Sequence, residues 1–128
     1  LTSNEVRAIQ ETSGGIIWVA TKEGITRCYN SLMHEIGTLC ENGRIATNPS
    51  CKIFSKLVYT IHEDSKKRIW LGTKGDGIYL LTPKSSLPNL SYSIQHFYHD
   101  NNNPHSLSNN NIYDITEDSE GNEENHSG

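Results

Sequence analysis

Residues 58–73 read VYTIHEDSKKRIWLGT, and residues 6–21 read VRAIQETSGGIIWVAT. They match at an offset of 52, with Val6/Val58, Ile9/Ile61, Glu11/Glu63, Ser13/Ser65, Ile17/Ile69, Trp18/Trp70 and Thr21/Thr73 aligned. One inserted glycine, Gly75, moves the offset to 53, after which Glu23-Gly24-Ile25 meets Asp76-Gly77-Ile78. A third copy opens at Ile112, where Ile115, Glu117, Asp118 and Ser119 fall 54 after Ile61, Glu63, Asp64 and Ser65. It then breaks off: the tryptophan position holds Glu124, inside the polar stretch NEENHSG. Self-similarity at a period near 50 residues marks a repeat architecture, in which each unit buries its faces against its neighbours.

Each copy reads as strands. The first covers 6–10 or 58–62, rich in β-branched residues. Turns follow at 11–15, 63–67 and 117–121, where Asp, Ser and Gly bond the local backbone or permit positive φ. The second strand, 16–20 or 68–72, is apolar without alternation, as expected of a strand buried on both faces. Turns at 21–24 and 73–77 lead to third strands at 25–29 and 78–81. A loop with two prolines, 82–90, precedes a fourth strand at 92–98. Between 30 and 52 the pattern is irregular, with a short strand expected at 38–40 or 44–46.

Four antiparallel strands in about 50 residues are the dimensions of a propeller blade. The expected fold is all-β: a partial β-propeller of two four-stranded blades and the start of a third. The units are 1–53, 54–105 and 106–122, followed by a polar tail at 123–128. The apolar runs are too short for helices, and Gly or Pro interrupts them. Two blades leave open faces and edges, so the isolated 128 residues are expected to be marginal, to self-associate or to form an open arc.

Composition narrows the function. There are 11 basic and 15 acidic residues, net charge −4, with no basic run, so no nucleic-acid partner is expected. The longest apolar run, 16–20, falls far short of the roughly 18 residues that span a bilayer. The sequence shows no signal peptide and opens on Leu1 rather than Met, which points to a piece of something longer. Cys28, Cys40 and Cys51 lie 12 and 11 apart with no C-x-x-C, which disfavours zinc. Unpaired thiols are the simpler reading; a Cys40–Cys51 disulfide is the alternative in an oxidising compartment. No cofactor or metal is expected. The six histidines read as surface or loop residues, since His96 and His99 would face opposite ways on a strand.

The carboxylate pairs Glu63-Asp64 and Glu117-Asp118 recur at one repeat position, so they serve the blade rather than catalysis. Trp18 and Trp70 recur likewise, and are expected to pack between blades rather than to stack on a sugar. The asparagine runs 101–103 and 109–111 read as turn-tolerant loop residues. A ligand site is better sought among residues that differ from blade to blade. Arg27, Tyr29, Tyr79, Tyr92 and Tyr98 are the candidates, since flat aromatic faces and a bidentate guanidinium suit carbohydrate or acidic-sugar contacts. No catalytic residues are assigned.

The unit V/I-x-x-I-x-E-D-S-x-G-x-I-W-[IV]-G-T-x-x-G-I resembles the two-component-regulator propeller repeat. The stretch HDNNNPHSLSNNNIYDITEDSEGN, residues 99–122, resembles that family's inter-blade connection. The resemblance covers 1–29 and 54–122. The departures are Ala20 for the usual glycine, Lys66-Lys67 for the turn glycine, the irregular 30–52 segment and the absent third tryptophan.

The resemblance implies a fragment of the periplasmic sensor region of an inner-membrane hybrid two-component histidine kinase/response regulator, as in Bacteroidetes. It implies an oligosaccharide ligand, neighbouring blades of the parent as partners, and a dimeric parent. The segment itself would not be an enzyme. The alternatives are the same propeller serving a diguanylate cyclase or a membrane-bound transcription regulator, or a propeller lyase or glycosidase.

Overall fold

The β-branched and apolar runs at the head of each repeat form the strands expected of them. In the computed structural model, which describes residues 5–103, 107, 109–117 and 123–127, the chain is all-β. The first sheet holds β1 (Val6–Glu11), β2 (Ile17–Thr21), β3 (Thr26–Tyr29), β4 (Glu35–Leu39) and β5 (Ile45–Ala46), in that order. The second holds β6 (Val58–Glu63), β7 (Ile69–Thr73), β8 (Ile78–Ser85) and β9 (Ser91–Phe97), also in sequence order. A third pair, β10 (Ile112–Glu117) and β11 (Glu123–Ser127), starts the next unit. All pairings are antiparallel.

The repeat extends to the backbone. Val6 faces Thr21 and Val58 faces Thr73, and Gln10 faces Trp18 as His62 faces Trp70. The first strand shifts register after its first residue in all three copies, between Val6/Ala8, Val58/Thr60 and Ile112/Asp114. Such a bulge re-aims the residue it carries. In the first two copies that residue is Arg7 or Tyr59, and the Arg7 guanidinium lies 5.0 Å from the centre of the Tyr59 ring. First strands thus lie side by side, β1 against β6 and β6 against β10.

Two apolar seams join the units. Trp18, Leu39, Val58, Ile69, Leu71, Leu81 and Tyr92 belong to the larger cluster, which spans the first two blades. Trp18 is fully buried and meets Tyr92 of the second blade edge-on, ring centres 5.4 Å apart. Trp70 fills the same role in the next unit, packed with Phe97 against Ile78, Ile112 and Ile115. As expected of a strand covered on both faces, β2 is buried from Trp18 to Thr21.

A steric match explains why Ala20 can replace the usual glycine. A Cβ on Gly72 would lie 2.5 Å from Thr60 Cγ2 and 2.7 Å from Ile112 Cγ2, so no side chain fits there. In the first blade the corresponding neighbours are Ala8 and Val58, each smaller than its counterpart. By the repeat, these smaller side chains leave room for a methyl group at Ala20.

Three segments differ from expectation. Between 30 and 52 both expected positions form strands, as β4 and β5, and β4 begins earlier, at Glu35. This region also bonds to the neighbouring blade: Tyr92 N donates to Gly43 O, and Ile45 N to Leu90 O. A Cβ on Gly43, at φ 90°, would overlap Tyr92 O, so only glycine permits this approach. The Cys40–Cys51 disulfide closes the segment, with Cα atoms 6.0 Å apart, and this corrects the reading of unpaired thiols. Second, β8 runs on through Pro83 to Ser85, where the sequence reads as a loop. Pro83 lies beyond the stretch paired to β7 and beside a register shift, where a missing N–H is tolerated. Third, Glu123–Ser127 of the polar tail is a strand, and Glu124 pairs with Thr116 as Trp70 pairs with His62. Backbone pairing needs no apolar side chains. Most of the third turn, residues 118–121, lies outside the described residues.

Candidate functional site

The repeated carboxylates of the second blade frame its turn and the seam. Glu63 ends β6 and reaches back to the first blade, where its two oxygens accept the N–H and the O–H of Ser13, both at 2.9 Å. Asp64, next in sequence, points into its own turn. Its carboxylate accepts the N–H groups of Lys66 and Arg68 at 2.9 Å, the Arg68 Nε–H at 2.6 Å and the Trp70 Nε1–H at 2.9 Å. Burial alone would raise the Asp64 pKa. The bonds from Trp70, Arg68 and Lys66 outweigh it and hold the carboxyl below the usual aspartate value. One carboxylate joins two blades and the other closes a turn.

Between the blades lies a cleft of about 470 Å³. Two β-turns, one from each blade, and the β8–β9 hairpin form its walls. Its floor is apolar, built from Ile16, Ile69, Leu90 and the buried face of Tyr92. Its rim carries Glu63, Lys67 and Lys84. A smaller hollow of about 220 Å³ lies beside Tyr79, bounded by Phe54, Ser55, Lys56 and Glu41.

The five sequence candidates separate. Tyr92 is in the floor of the larger cleft, packed on Trp18, and burial pushes its phenol pKa up. Tyr79 lines the smaller hollow. Its ring meets Phe54 edge-on at 4.9 Å and stacks on His96 at 4.1 Å. Burial, then the charges of Asp76 and Glu41, raise its pKa. Tyr98, 53% exposed, tilts against His96 with ring centres 5.2 Å apart, so His96 brings these two tyrosines together. Arg27 pairs with Glu35 at 3.5 Å on the first sheet, and neither it nor half-buried Tyr29 lines either hollow.

Two histidines are engaged by oxygen acceptors. His96 Nε2 lies 2.5 Å from Asp76 O. His99 places Nδ1 2.5 Å from Leu107 O and Nε2 2.7 Å from Asn101 Oδ1. The Leu107 carbonyl, then Asn101, favour the imidazolium and raise its pKa; burial opposes them, and the charge of Asp100 adds to the rise. Among the described residues no cluster of His, Cys, Asp or Glu could hold a metal ion.

The cleft residues that sequence reasoning misses are Lys67 and Lys84. A signal for the first exists: Lys67 stands where the first copy has Gly15 and the third has Gly121. Lys84 has no such mark, because it lies in a hairpin whose position at the seam only the fold reveals.

Known proteins give the same picture. The family model for the two component regulator propeller matches residues 1–23 and 52–75. No protein of curated function matches the chain. Among solved structures, the extracellular domain of BT4673 from B. thetaiotaomicron, named there as a one component system, superposes with a TM-score of 0.68 at 22% identity. The match covers 95% of this chain and 14% of that one. A second structure of the BT4673 extracellular domain, named as a hybrid two component system, gives 0.67 at 21% identity, over 98% and 15%. The extracellular domain of BT3049 from the same organism, also named as a hybrid two component system, gives 0.62 at 19% identity, over 94% and 15%. The chain thus spans about one seventh of these domains, and the likeness is one of fold. Repeat, register and family match agree: residues 1–23 and 52–75 match the two component regulator propeller repeat, and each match heads one blade of a partial propeller.

Proposed function

We propose that the chain belongs to the extracytoplasmic sensor region of a hybrid two-component regulator, and that this region binds oligosaccharide and performs no catalysis itself. The observation that carries the reading is the paired repeat: two consecutive copies match the regulator propeller model, and they dock as successive blades. The Cys40–Cys51 disulfide supports the compartment, since such bonds persist where the surroundings are oxidising. The parent is a histidine kinase anchored in the inner membrane, dimeric, with the propeller on the periplasmic side. Ligand bound among the blades shifts the balance between two arrangements of the ectodomain, by as much as its affinities for them differ.

The test uses the full-length protein in membranes. Melting temperature and autophosphorylation are followed against a panel of neutral, uronate-bearing and sulfated oligosaccharides. A ligand at 100 times its Kd adds about 2.7 kcal/mol of stability, which a melting curve resolves. At least one class of sugar is expected to raise the melting temperature and alter phosphorylation. No response to any sugar, or a protein that fractionates with the cytosol, overturns the reading.

A further inference from the structure

The cleft between the first two blades carries charge that the fold does not use. Lys67 and Lys84 stand at its rim, and no ion pair engages either ammonium group among the described residues. The one carboxylate beside them, Glu63, is already held by the N–H and O–H of Ser13.

Lys67 is also in an unfavourable place. Its φ is 63°, in the left-handed region that side chains avoid. The same turn position in the first blade is Gly15, at φ 76°. The turn itself gains nothing from lysine: Lys67 N donates to Asp64 O at 3.0 Å, as Gly15 N donates to Thr12 O at 3.3 Å. A residue kept against its backbone preference, at the mouth of a cleft, points to a role in what enters it.

The rest of the cleft says what that is. Its floor of Ile16, Ile69, Leu90 and Tyr92 offers an apolar surface to the flat face of a ring. At about 470 Å³ it falls within the roughly 300–1,000 Å³ of ligand sites. A bare inorganic anion would leave that floor uncovered, and a neutral sugar would leave both cations unused. We infer that this cleft binds an anionic sugar residue, a uronate or a sulfate ester, with Lys67 and Lys84 as its charge contacts. The inference rests on the sensing role proposed above and narrows its ligand class.

The test compares tetragalacturonate, a sulfated galactose tetramer and neutral maltotetraose by calorimetry on the full-length protein, with free sulfate as control. Lys67→Gly and Lys84→Gln are measured alongside. Lys67→Gly restores the residue the turn prefers, so its melting temperature should hold or rise while affinity for the anionic tetramer falls at least tenfold. Lys84→Gln should lower it comparably, and added salt should weaken binding. Which tetramer binds separates carboxylate from sulfate. Binding of maltotetraose alone, or anionic binding that both variants leave intact, overturns this inference while the sensing role stands. Failure of both anionic tetramers overturns this inference, while the sensing role stands or falls on the wider panel above; binding of free sulfate as tight as either anionic tetramer shows that the floor is not used and also overturns the inference.

Discussion

Trp70 donates its indole N–H to Asp64 over 2.9 Å, six residues upstream in the same hairpin. One blade earlier, Thr12 stands in place of Asp64, and the buried Nε1 of Trp18 has no hydrogen-bond partner among the described residues. The same tryptophan in the same strand is satisfied in one blade and orphaned in the other.

Removing Asp64 should therefore be costly. Asp64→Ala leaves Arg68, Trp70 and two backbone N–H groups without their common acceptor, and leaving such partly buried donors unsatisfied costs about 1–3 kcal/mol. Urea unfolding measures it, and a loss below about 1 kcal/mol contradicts the assignment. The pH dependence has a definite sign. Because the folded carboxyl lies below its unfolded value of about 3.9, its contribution is present above that pH. It is lost as pH falls through the folded pKa, and the alanine variant should lack that component of the acid transition.

The orphaned indole offers the converse experiment. Thr12→Asp supplies the missing acceptor, and Ile16→Arg supplies the cation that Arg68 provides in the second blade. The double variant should exceed the sum of the single effects by about 0.5–3 kcal/mol of favourable coupling, read from a double-mutant cycle. Strict additivity would mean that the second blade's network does not transfer.

Gly72 should not accept even a methyl group. Gly72→Ala places a Cβ against Thr60 and Ile112, and overpacking of this kind costs about 1–3 kcal/mol. Adding Thr60→Ala and Ile112→Val recreates the surroundings of Ala20 and should recover most of the loss. Thermal melts of the parent, the single variant and the triple variant decide it; failure of the rescue would mean that the two positions are not equivalent.

Of the three cysteines, only Cys28 should titrate as a thiol in the unfolded, non-reduced protein, and all three after reduction. In the folded protein Cys28 should resist thiol reagents, because burial raises its pKa and shields the sulfur. Reducing the Cys40–Cys51 bond should lower stability by about 2–4 kcal/mol. Two or more reactive thiols before reduction would contradict the pairing.

How much of this can be read from the chain follows from which segments repeat. Wherever two copies overlay, as at Val6/Val58 or Trp18/Trp70, strand positions emerge to within about two residues, because side chains buried in every blade obey one pattern. The segment 30–52 has no second copy to compare, and some of its backbone partners belong to the next blade, as Gly43 does with Tyr92. No local rule reveals such bonds. The Cys40–Cys51 bridge is ambiguous in sequence because spacing alone does not bring two Cα atoms within bonding range. Tyr92 stands out as a residue that differs between blades, but the sequence does not show that it lies both beneath Trp18 in the seam and in the floor of the cleft. The cleft is invisible in the sequence because its walls come from turns and a hairpin distant in the chain.

The fitted sizes of Ala20 and Gly72 also bear on how a repetitive chain avoids joining its units in the wrong order. Misassembly is the characteristic failure of repeat proteins, since every unit offers its neighbour a nearly identical surface. Here the surfaces are nearly, but not quite, interchangeable. Docking the Ile112 strand on the first blade would press a larger side chain onto the Ala20 methyl, and docking the Val58 strand on Gly72 would leave a void. A difference of one or two methyl groups per joint thus acts as an address, marking each blade for the strand that follows it.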